Sequence, residues 1–479
     1  MNTLTLSFPL RAVLRTLAGG IIALATLAAP AHAADDTQRL IDQGRSLSVA
    51  ADCMACHTAK DGKSYAGGYA IQSPLGAIYA TNITPSKTSG IGDYTEAEFA
   101  RALRQGVRHD GSRLYPAMPY TSYTLLSDAD VHALYVYFMQ GVAPVDTVPA
   151  RTQLAFPFNI RASMMGWNAL YLDDKRFESD PSKSEEINRG AYLSKALAHC
   201  SACHTPRDVM MAEDGNRELA GGSVGPWYAP NITSDTVSGI GGWSNAELVQ
   251  YLRTGRVAGR AQAGGGMAEA IENSLQHLPE SDLLAIVAYL KSTTPIRDAA
   301  DTDRGKIRGA PVSDEARLRG VDKHNANNTL RSGAALFSAN CASCHQANGA
   351  GSTGQAYPSL FHNTATGASR ADNLLAAILF GIDRDAGGEH VLMPRFDAQS
   401  YVDPLTNTQI ADIANYVLTQ YGNPDVQVTP ETVQTAREGG KLPLLARVPL
   451  YIKPALAVAA LIALLLLWLF VRRRRGARA

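Results

Sequence analysis

The amino-acid sequence predicts a mainly α-helical protein with three tandem domains and one membrane-spanning helix near its C-terminus. Three observations lead to this expectation. A five-residue pattern, Cys-x-x-Cys-His, occurs three times and contains all six cysteines of the 479-residue chain. Segments with apolar residues at helical spacing lie before and after each copy. An unbroken apolar stretch close to the C-terminus is long enough to be a membrane span.

The chemistry of the repeated pattern follows from its spacing. The copies begin at Cys53, Cys200 and Cys341, which are 147 and 141 residues apart. This interval is too long for two pairs to form one zinc finger or ribbon. A thioredoxin-like dithiol is expected once, beside a βαβ pattern, and does not require the histidine. Covalent haem c explains every residue, because two thiols form thioethers with the vinyl groups and the next imidazole ligates iron.

We therefore predict three covalently bound haem c groups. The predicted thioether residues are Cys53, Cys56, Cys200, Cys203, Cys341 and Cys344. The predicted proximal iron ligands are His57, His204 and His345.

The helical segments divide the chain. A helix late in each domain is predicted at 128–140, 280–291 and 407–421. The predicted domains are 37–145, 185–295 and 327–425, with linkers at 146–184, 296–326 and 426–447. The first two domains are the more similar pair, since both contain Tyr-Ala-x-Asn-Ile-Thr followed by Ser-Gly-Ile-Gly.

Each haem needs a ligand on its second face, and a methionine recurs at comparable range. Met118, Met267 and Met393 follow their histidines by 61, 63 and 48 residues. Proline follows two of them and glycines precede the third, which favours loops that pass close to a flat ring. Packing in the core is the alternative role for a methionine. Histidine is the alternative ligand, and the candidates near the methionines are His109, His277 and His390.

The asparagine of the shared Tyr-Ala-x-Asn-Ile-Thr segment suggests a second role near the haem. Asn82 and Asn231 occupy equivalent places in the two copies. We expect each either to hydrogen-bond a haem propionate or to form a turn through its own side chain.

Both termini carry export or membrane signals. Two arginines, an apolar run and Ala-His-Ala predict a signal peptide at 1–33, an uncleaved anchor helix being the alternative. The stretch 448–471 predicts a transmembrane helix, with a buried core helix as the alternative, and four arginines open the tail 472–479. By the positive-inside rule the tail is cytoplasmic. We expect a bacterial inner-membrane protein whose haem domains lie on the periplasmic side.

Charge and motifs exclude two classes of function. Without the predicted signal peptide and tail, 37 basic residues face 44 acidic ones, so a nucleic-acid partner is not expected. The segment 349–354 matches Gly-x-Gly-x-x-Gly, but it follows no strand and leads into no helix, which rules out a dinucleotide site. We predict no catalytic residue in this chain and expect substrate oxidation elsewhere.

Longer matches carry a family resemblance over residues 37–425. Beside the three Cys-x-x-Cys-His motifs stand HTAKDGKSYAGG, YATNIT, LYPAMPY, HTPRD and GGGMAEAIENSLQHL. The chain thereby resembles the triheme cytochrome c subunits of membrane-bound periplasmic dehydrogenases, such as alcohol dehydrogenase and gluconate 2-dehydrogenase. The three methionines fall at that family's haem-ligand positions. One departure is Gly266, where the family often has proline.

The resemblance implies three class I cytochrome c-like domains and a specific set of partners. A large catalytic subunit bearing flavin or pyrroloquinoline quinone would oxidise a sugar acid, polyol or alcohol, and a small third subunit is left open. The electrons would pass to membrane ubiquinone in the respiratory chain. The alternatives are a free-standing multihaem carrier and the cytochrome c subunit of a terminal oxidase, which the neighbouring genes would distinguish.

Overall fold

The computed structural model describes residues 35–73, 75–301, 308–318, 329, 331–447, 451 and 458–465. The predicted signal peptide, 1–33, lies outside these residues, and so does most of the predicted transmembrane helix, of which 451 and 458–465 are helical. Within the described ranges, no helix has the length and apolar character needed to cross a membrane. The prediction of a mainly helical protein is confirmed.

The first domain surrounds its cysteine motif with helices and one small sheet. Its helices are 35–50, Cys53–His57, Glu96–Gln105, Tyr120–Tyr123 and Asp128–Val136, the last continuing as a π-helical turn at Tyr137–Gly141. Antiparallel strands Ala70–Ser73 and Gly76–Tyr79 are joined by strand Gln153–Leu154 from the following linker. That linker also contains a 3₁₀ turn, Arg161–Ser163, and a helix, Met164–Tyr171.

The second domain repeats this order. Its helices are Glu185–Tyr192, Ser201–His204, Asn245–Thr254, Gly266–Asn273 and Glu280–Lys291, with a π-helical turn at Leu193–Leu197 and 3₁₀ turns at Gly215–Arg217 and Leu275–His277. Its antiparallel hairpins pair Gly222–Val224 with Trp227–Ala229 and Arg256–Val257 with Ala261–Gln262.

The third domain has a longer hairpin and an additional C-terminal helix. One short helix, Glu315–Leu318, precedes this domain. The helices that follow are Gly333–Asn340, Ala342–His345, Thr364–Gly367, Asp372–Phe380, Asn407–Tyr421 and Pro430–Arg437, and after them comes the 3₁₀ turn Leu445–Arg447. Strands Ile382–Ala386 and Glu389–Met393 pair antiparallel, with Ile382 opposite Met393. The late helices of the second and third domains have the predicted bounds.

A glycine in the early helix of each domain lets the late helix cross it closely. A Cβ at Gly44, Gly190 or Gly333 would overlap the carbonyl oxygen of Ala133, Ala285 or Asp412, respectively. The same crossing therefore organises all three domains, and only glycine fits at each crossing point.

Another glycine ends the middle helix of each domain. Gly106, Gly255 and Gly381 are the C-caps of the helices Glu96–Gln105, Asn245–Thr254 and Asp372–Phe380, and their φ angles are 63°, 73° and 72°. Gly106 and Gly255 are left-handed C-caps, a common way to end a helix, and glycine adopts the positive φ of all three positions without strain. Each of these glycines stands twelve residues before the candidate methionine of its domain. The methionines therefore share one sequence offset from a helix-ending glycine, although their offsets from the histidines differ.

The core is divided unequally among the domains. Buried residues of the first two domains form one continuous apolar cluster, which includes Leu126 and Leu193. The third domain has its own cluster around Leu336 and Ile410. Domains one and two therefore behave as one packed body, against which the third domain is docked through its hairpin and through polar contacts.

Three candidate haem sites

A residue with a positive φ angle stands immediately before each of the first two cysteine motifs. Asp52 and His199, which precede Cys53 and Cys200, adopt left-handed φ angles of 52° and 38°. This break separates the incoming helix from the short helix, Cys53–His57 or Ser201–His204, that carries the motif histidine.

Four of the six cysteine side chains have pKa values that are strongly raised by burial. Burial raises the pKa of Cys53 and Cys56 to about 12, that of Cys200 to about 11 and that of Cys341 to about 12. Thiols held in this way stay neutral near neutral pH. The environment therefore fits cysteines that end as thioethers.

The three histidines share one hydrogen bond. Nδ1 lies 2.6 Å from the carbonyl oxygen of Thr81 for His57, 2.6 Å from that of Pro230 for His204, and 2.9 Å from that of Pro358 for His345. Burial lowers the pKa of each histidine, only partly offset by this carbonyl, so the imidazole is neutral. A neutral ring that donates from Nδ1 keeps the Nε2 lone pair for a metal. All three residues thus fit a proximal ligand of haem iron.

The methionines lie half-buried at the ends of loops. Met118 contacts the shared core of the first two domains, Met267 is the second residue of the helix Gly266–Asn273, and Met393 ends its strand beside the core of the third domain. The glycines before Met267 also have a packing role, beside the predicted one of letting the loop pass close to a flat ring. A Cβ at Gly264 or Gly265 would lie 2.9 or 2.6 Å from the indole of Trp227, which packs against this loop.

The alternative histidines are placed less favourably. His109, His277 and His390 are exposed, and each has a ring nitrogen engaged elsewhere. The partner is the carboxylate of Glu98 at 2.9 Å, the carbonyl of Glu272 at 3.0 Å and the carboxylate of Asp383 at 2.8 Å, respectively. This geometry favours methionine as the second axial ligand.

The repeated Tyr-Ala-x-Asn-Ile-Thr segment has a role that the sequence did not reveal. The residue before the asparagine, Thr81 or Pro230, is the one whose carbonyl accepts from the proximal histidine. The side chain of Asn82 bonds the carbonyls of Val145 and Thr147 at 2.7 and 3.0 Å and accepts from Thr84 N at 2.9 Å. The turn interpretation is therefore favoured over propionate binding, because this amide is already used to tie down the loop.

The first two sites face each other across the domain contact. The helix Gly266–Asn273, which begins beside Met267, packs against the motif helix Cys53–His57 of the first domain. Tyr69 Oη donates to the Glu269 carboxylate, at 3.1 and 3.2 Å from its two oxygens. The Cys56 thiol lies within electrostatic range of Cys203. The two motifs are thus near neighbours in space although 147 residues separate them in sequence.

Comparison with known proteins agrees with this geometry. A family model described as "Cytochrome c" matches residues 41–141 and 330–420. The chain is 47% identical over 446 residues to the fructose dehydrogenase cytochrome subunit of Gluconobacter japonicus, covering 91% of each chain. The chain belongs to the cytochrome c subunits of membrane-bound dehydrogenases.

Two further relatives of this family span most of the chain. The gluconate 2-dehydrogenase cytochrome c subunit of Pantoea cypripedii is 36% identical over 87% of this chain and 94% of its own length. The cytochrome c subunit of the quinone alcohol dehydrogenase of Gluconobacter oxydans (strain 621H) is 36% identical over 85% of this chain and 84% of its own. The cytochrome c subunit therefore functions in electron transfer and holds haem c through its Cys-x-x-Cys-His motifs.

Proposed function

We propose that this chain carries electrons from a catalytic dehydrogenase subunit to a membrane quinone through three covalent haem c groups. The observation that carries the proposal is the threefold repetition of one proximal site, a motif histidine whose Nδ1 bonds a backbone carbonyl. When bound, haem c supplies a one-electron iron couple at each site. The cysteines would hold the ring covalently, and the histidine and methionine would hold the iron axially.

The arrangement of the domains supports a relay. The second domain contacts the first motif through the helix Gly266–Asn273, and it contacts the third domain through the helix Asp372–Phe380 and the hairpin Ile382–Met393. Electrons that enter at either end would cross the second domain. Methionine ligation raises the potential of a haem, which suits transfer towards a respiratory acceptor.

The relatives point to a substrate class for the partner. They are named for fructose, gluconate and alcohol dehydrogenases, and all three substrates carry a hydroxylated carbon. We infer that the partner oxidises such a CH–OH group in a sugar, sugar acid, polyol or alcohol, using flavin or pyrroloquinoline quinone. The predicted signal peptide and the predicted span 448–471 would place the haem domains in the periplasm at the inner membrane.

The test is reconstitution with the catalytic subunit that co-purifies with this chain. Alone, the cytochrome should oxidise none of these substrates. With the partner, in membranes, substrate should drive reduction of its haems and then of a quinone analogue. A form ending at residue 447 should still accept electrons but should reduce membrane quinone poorly. Haems that stay oxidised in the presence of active partner and substrate would overturn the proposal, and co-purification with oxidase subunits would replace it.

A further inference from the structure

An arginine of the third domain is buried inside the second. Arg384 lies in the strand Ile382–Ala386, and only 1% of its surface is exposed. Its Nη1 donates to the carbonyl of Ala263 at 2.7 Å and its Nη2 to Oε1 of Gln262 at 2.9 Å. Both acceptors belong to the loop that leads to Met267. The third domain thus anchors the ligand loop of the second.

The charge of Arg384 is not neutralised by either acceptor. Both are uncharged oxygens, and within the described residues the buried Nε has no hydrogen-bond partner. Burial lowers the pKa of this guanidinium, yet an arginine remains protonated in proteins. A second arginine, Arg256, pairs with Glu389 at 2.6 Å and fixes the opposite strand of the hairpin. The hairpin therefore holds a buried cation in place.

The first domain shows what normally fills this position. Gly106 and Gly255 occupy equivalent places, and the amides of Leu114 and Ala263 close equivalent turns on their carbonyls at 2.8 Å. A Cβ on Gly106 would lie 2.6 Å from the ring of Tyr120, whereas a Cβ on Gly255 would lie 2.7 Å from Cζ of Arg384. In the first domain, the space beside this glycine holds the ring of Tyr120 from the same domain. In the second domain, it holds the charged Arg384 from the third domain.

We propose that Arg384 is a positioning residue for the second haem site, which holds the Met267 loop and raises the reduction potential of that haem. The inference rests on the proposed ligation of iron by Met267. Reduction removes one positive charge from the haem, so a fixed cation in a low-dielectric surrounding favours the reduced form. Docking of the third domain would thereby set the redox behaviour of the second.

The experiment compares full-length holoprotein variants by potentiometric titration of the haems. Arg384→Gln removes the charge, Arg384→Lys keeps it but cannot donate in the same fork, and Met267→Ala identifies the second haem. Arg370→Gln is the matched control, because Arg370 also joins the third domain to the second, stacking on Tyr228 at 3.8 Å and pairing with Asp298 at 3.3 Å. The sulfur-to-iron near-infrared band and haem content are measured alongside.

We expect Arg384→Gln to make reduction of one haem about tenfold less favourable at fixed potential, which is about 59 mV for one electron. The same haem should respond to Met267→Ala. Arg384→Lys should shift it less while weakening its near-infrared band, and Arg370→Gln should change neither. Three unchanged potentials in Arg384→Gln with full haem content would overturn the inference. If Arg384→Gln loses haem, Arg384→Lys becomes the deciding variant. Unchanged haem potentials and an unchanged near-infrared band in Arg384→Lys would then overturn the inference.

The two proposals fail in different ways. If Met267→Ala shifts no haem potential, Met267 is not an iron ligand and the ligation behind the proposed function is wrong. If Met267→Ala shifts one haem and neither Arg384 variant affects that haem, only the role of Arg384 is wrong.

Discussion

The methionine loops of the first and second domains start from the same frame and are completed differently. Each begins at a left-handed glycine and reaches its methionine twelve residues later. In the first domain the loop is covered by Tyr120, which is fully buried and donates to Asn168 Oδ1 at 2.7 Å. In the second domain the corresponding space holds Arg384 of the third domain. The two loops therefore have the same length and the same starting glycine, but only the second is completed by a residue of the third domain.

This difference assigns distinct roles to the domains. The loop of the first domain is covered by Tyr120 and by Trp167 of the following linker, whose rings lie edge-on at 6.4 Å, and Ala212 of the second domain belongs to the same buried cluster. The loop of the second domain depends on the third domain at Arg384 and faces the first at Glu269. We therefore expect the second haem to respond most to the way the third domain packs on the second.

Loss of the third haem should have the largest effect on the difference between the first two loops. Cys341→Ser with Cys344→Ser should leave two covalent haems, because thioether attachment at that motif is lost. Without haem the third core loses its centre, so Arg384 should no longer be held in the second domain. Titration should then show a lowered potential for the second haem and an unchanged one for the first. Equal shifts of both would mean that the first domain is not independent.

Gly190→Ala should cause the next largest effect. Its Cβ would overlap the carbonyl of Ala285 in the crossing helix, so the two helices must separate. We expect a loss of about 3 kcal/mol or more, the range of severe packing defects. Gly166→Ala is the control, since nothing lies within 4 Å of its added Cβ. The chemical unfolding midpoint and haem content measure the difference, and a stable, fully loaded Gly190→Ala would contradict the crossing.

The sequence predicts the parts of these sites that are local. Cys-x-x-Cys-His requires adjacent residues, so chemistry alone identifies His57 and its equivalents. The helices Glu280–Lys291 and Asn407–Tyr421 follow from apolar periodicity. Recurrence after the histidines predicts the methionines, and the twelve-residue offset from a helix-ending glycine such as Gly106 is a second sequence signal for the same positions.

The remaining features depend on tertiary contacts. The role of Thr81 uses a carbonyl, which every residue has, so no side-chain pattern marks it. The burial of Arg384 needs the third domain to meet the second across more than a hundred residues of chain. Arginine is usually exposed, so an arginine in a short strand does not predict burial.

Tyr120→Phe should have a smaller effect, confined to the first domain. The change keeps the ring against Gly106 but removes the hydroxyl that donates to Asn168, leaving a buried amide oxygen without this partner. We expect a loss of about 1–3 kcal/mol. Tyr401→Phe, at a side chain that is 70% exposed, should be neutral. Thermal unfolding of the holoprotein measures stability, and a shift in the second haem potential would contradict an effect confined to the first domain.

The smallest effect concerns one side-chain contact between each of the first two domains and the linker that follows it. The carboxylate of this contact lies in the linker in one case and in the domain in the other. In the first domain Ser86 donates to the linker carboxylate of Asp146 at 2.5 Å. In the second domain the equivalent residue is the carboxylate, Asp235, which accepts from Arg297 of the linker at 2.8 Å. Burial tends to raise the pKa of Asp235, but Arg297 and two backbone amides outweigh it and lower that pKa.

A lowered pKa fixes the sign of the pH dependence. The joint of the second domain should stabilise the protein above the unfolded pKa of 3.8, and this contribution should be lost as pH falls through the lower folded value. Asp235→Asn should therefore cost about 1–2 kcal/mol at pH 7, and less as the acid range is entered. Asp146→Asn should cost less at neutral pH, because that carboxylate is exposed. Unfolding midpoints measured from pH 7 to pH 3 test both variants. A constant deficit for Asp235→Asn at every pH would show that the lost contact is steric and that its charge contributes nothing.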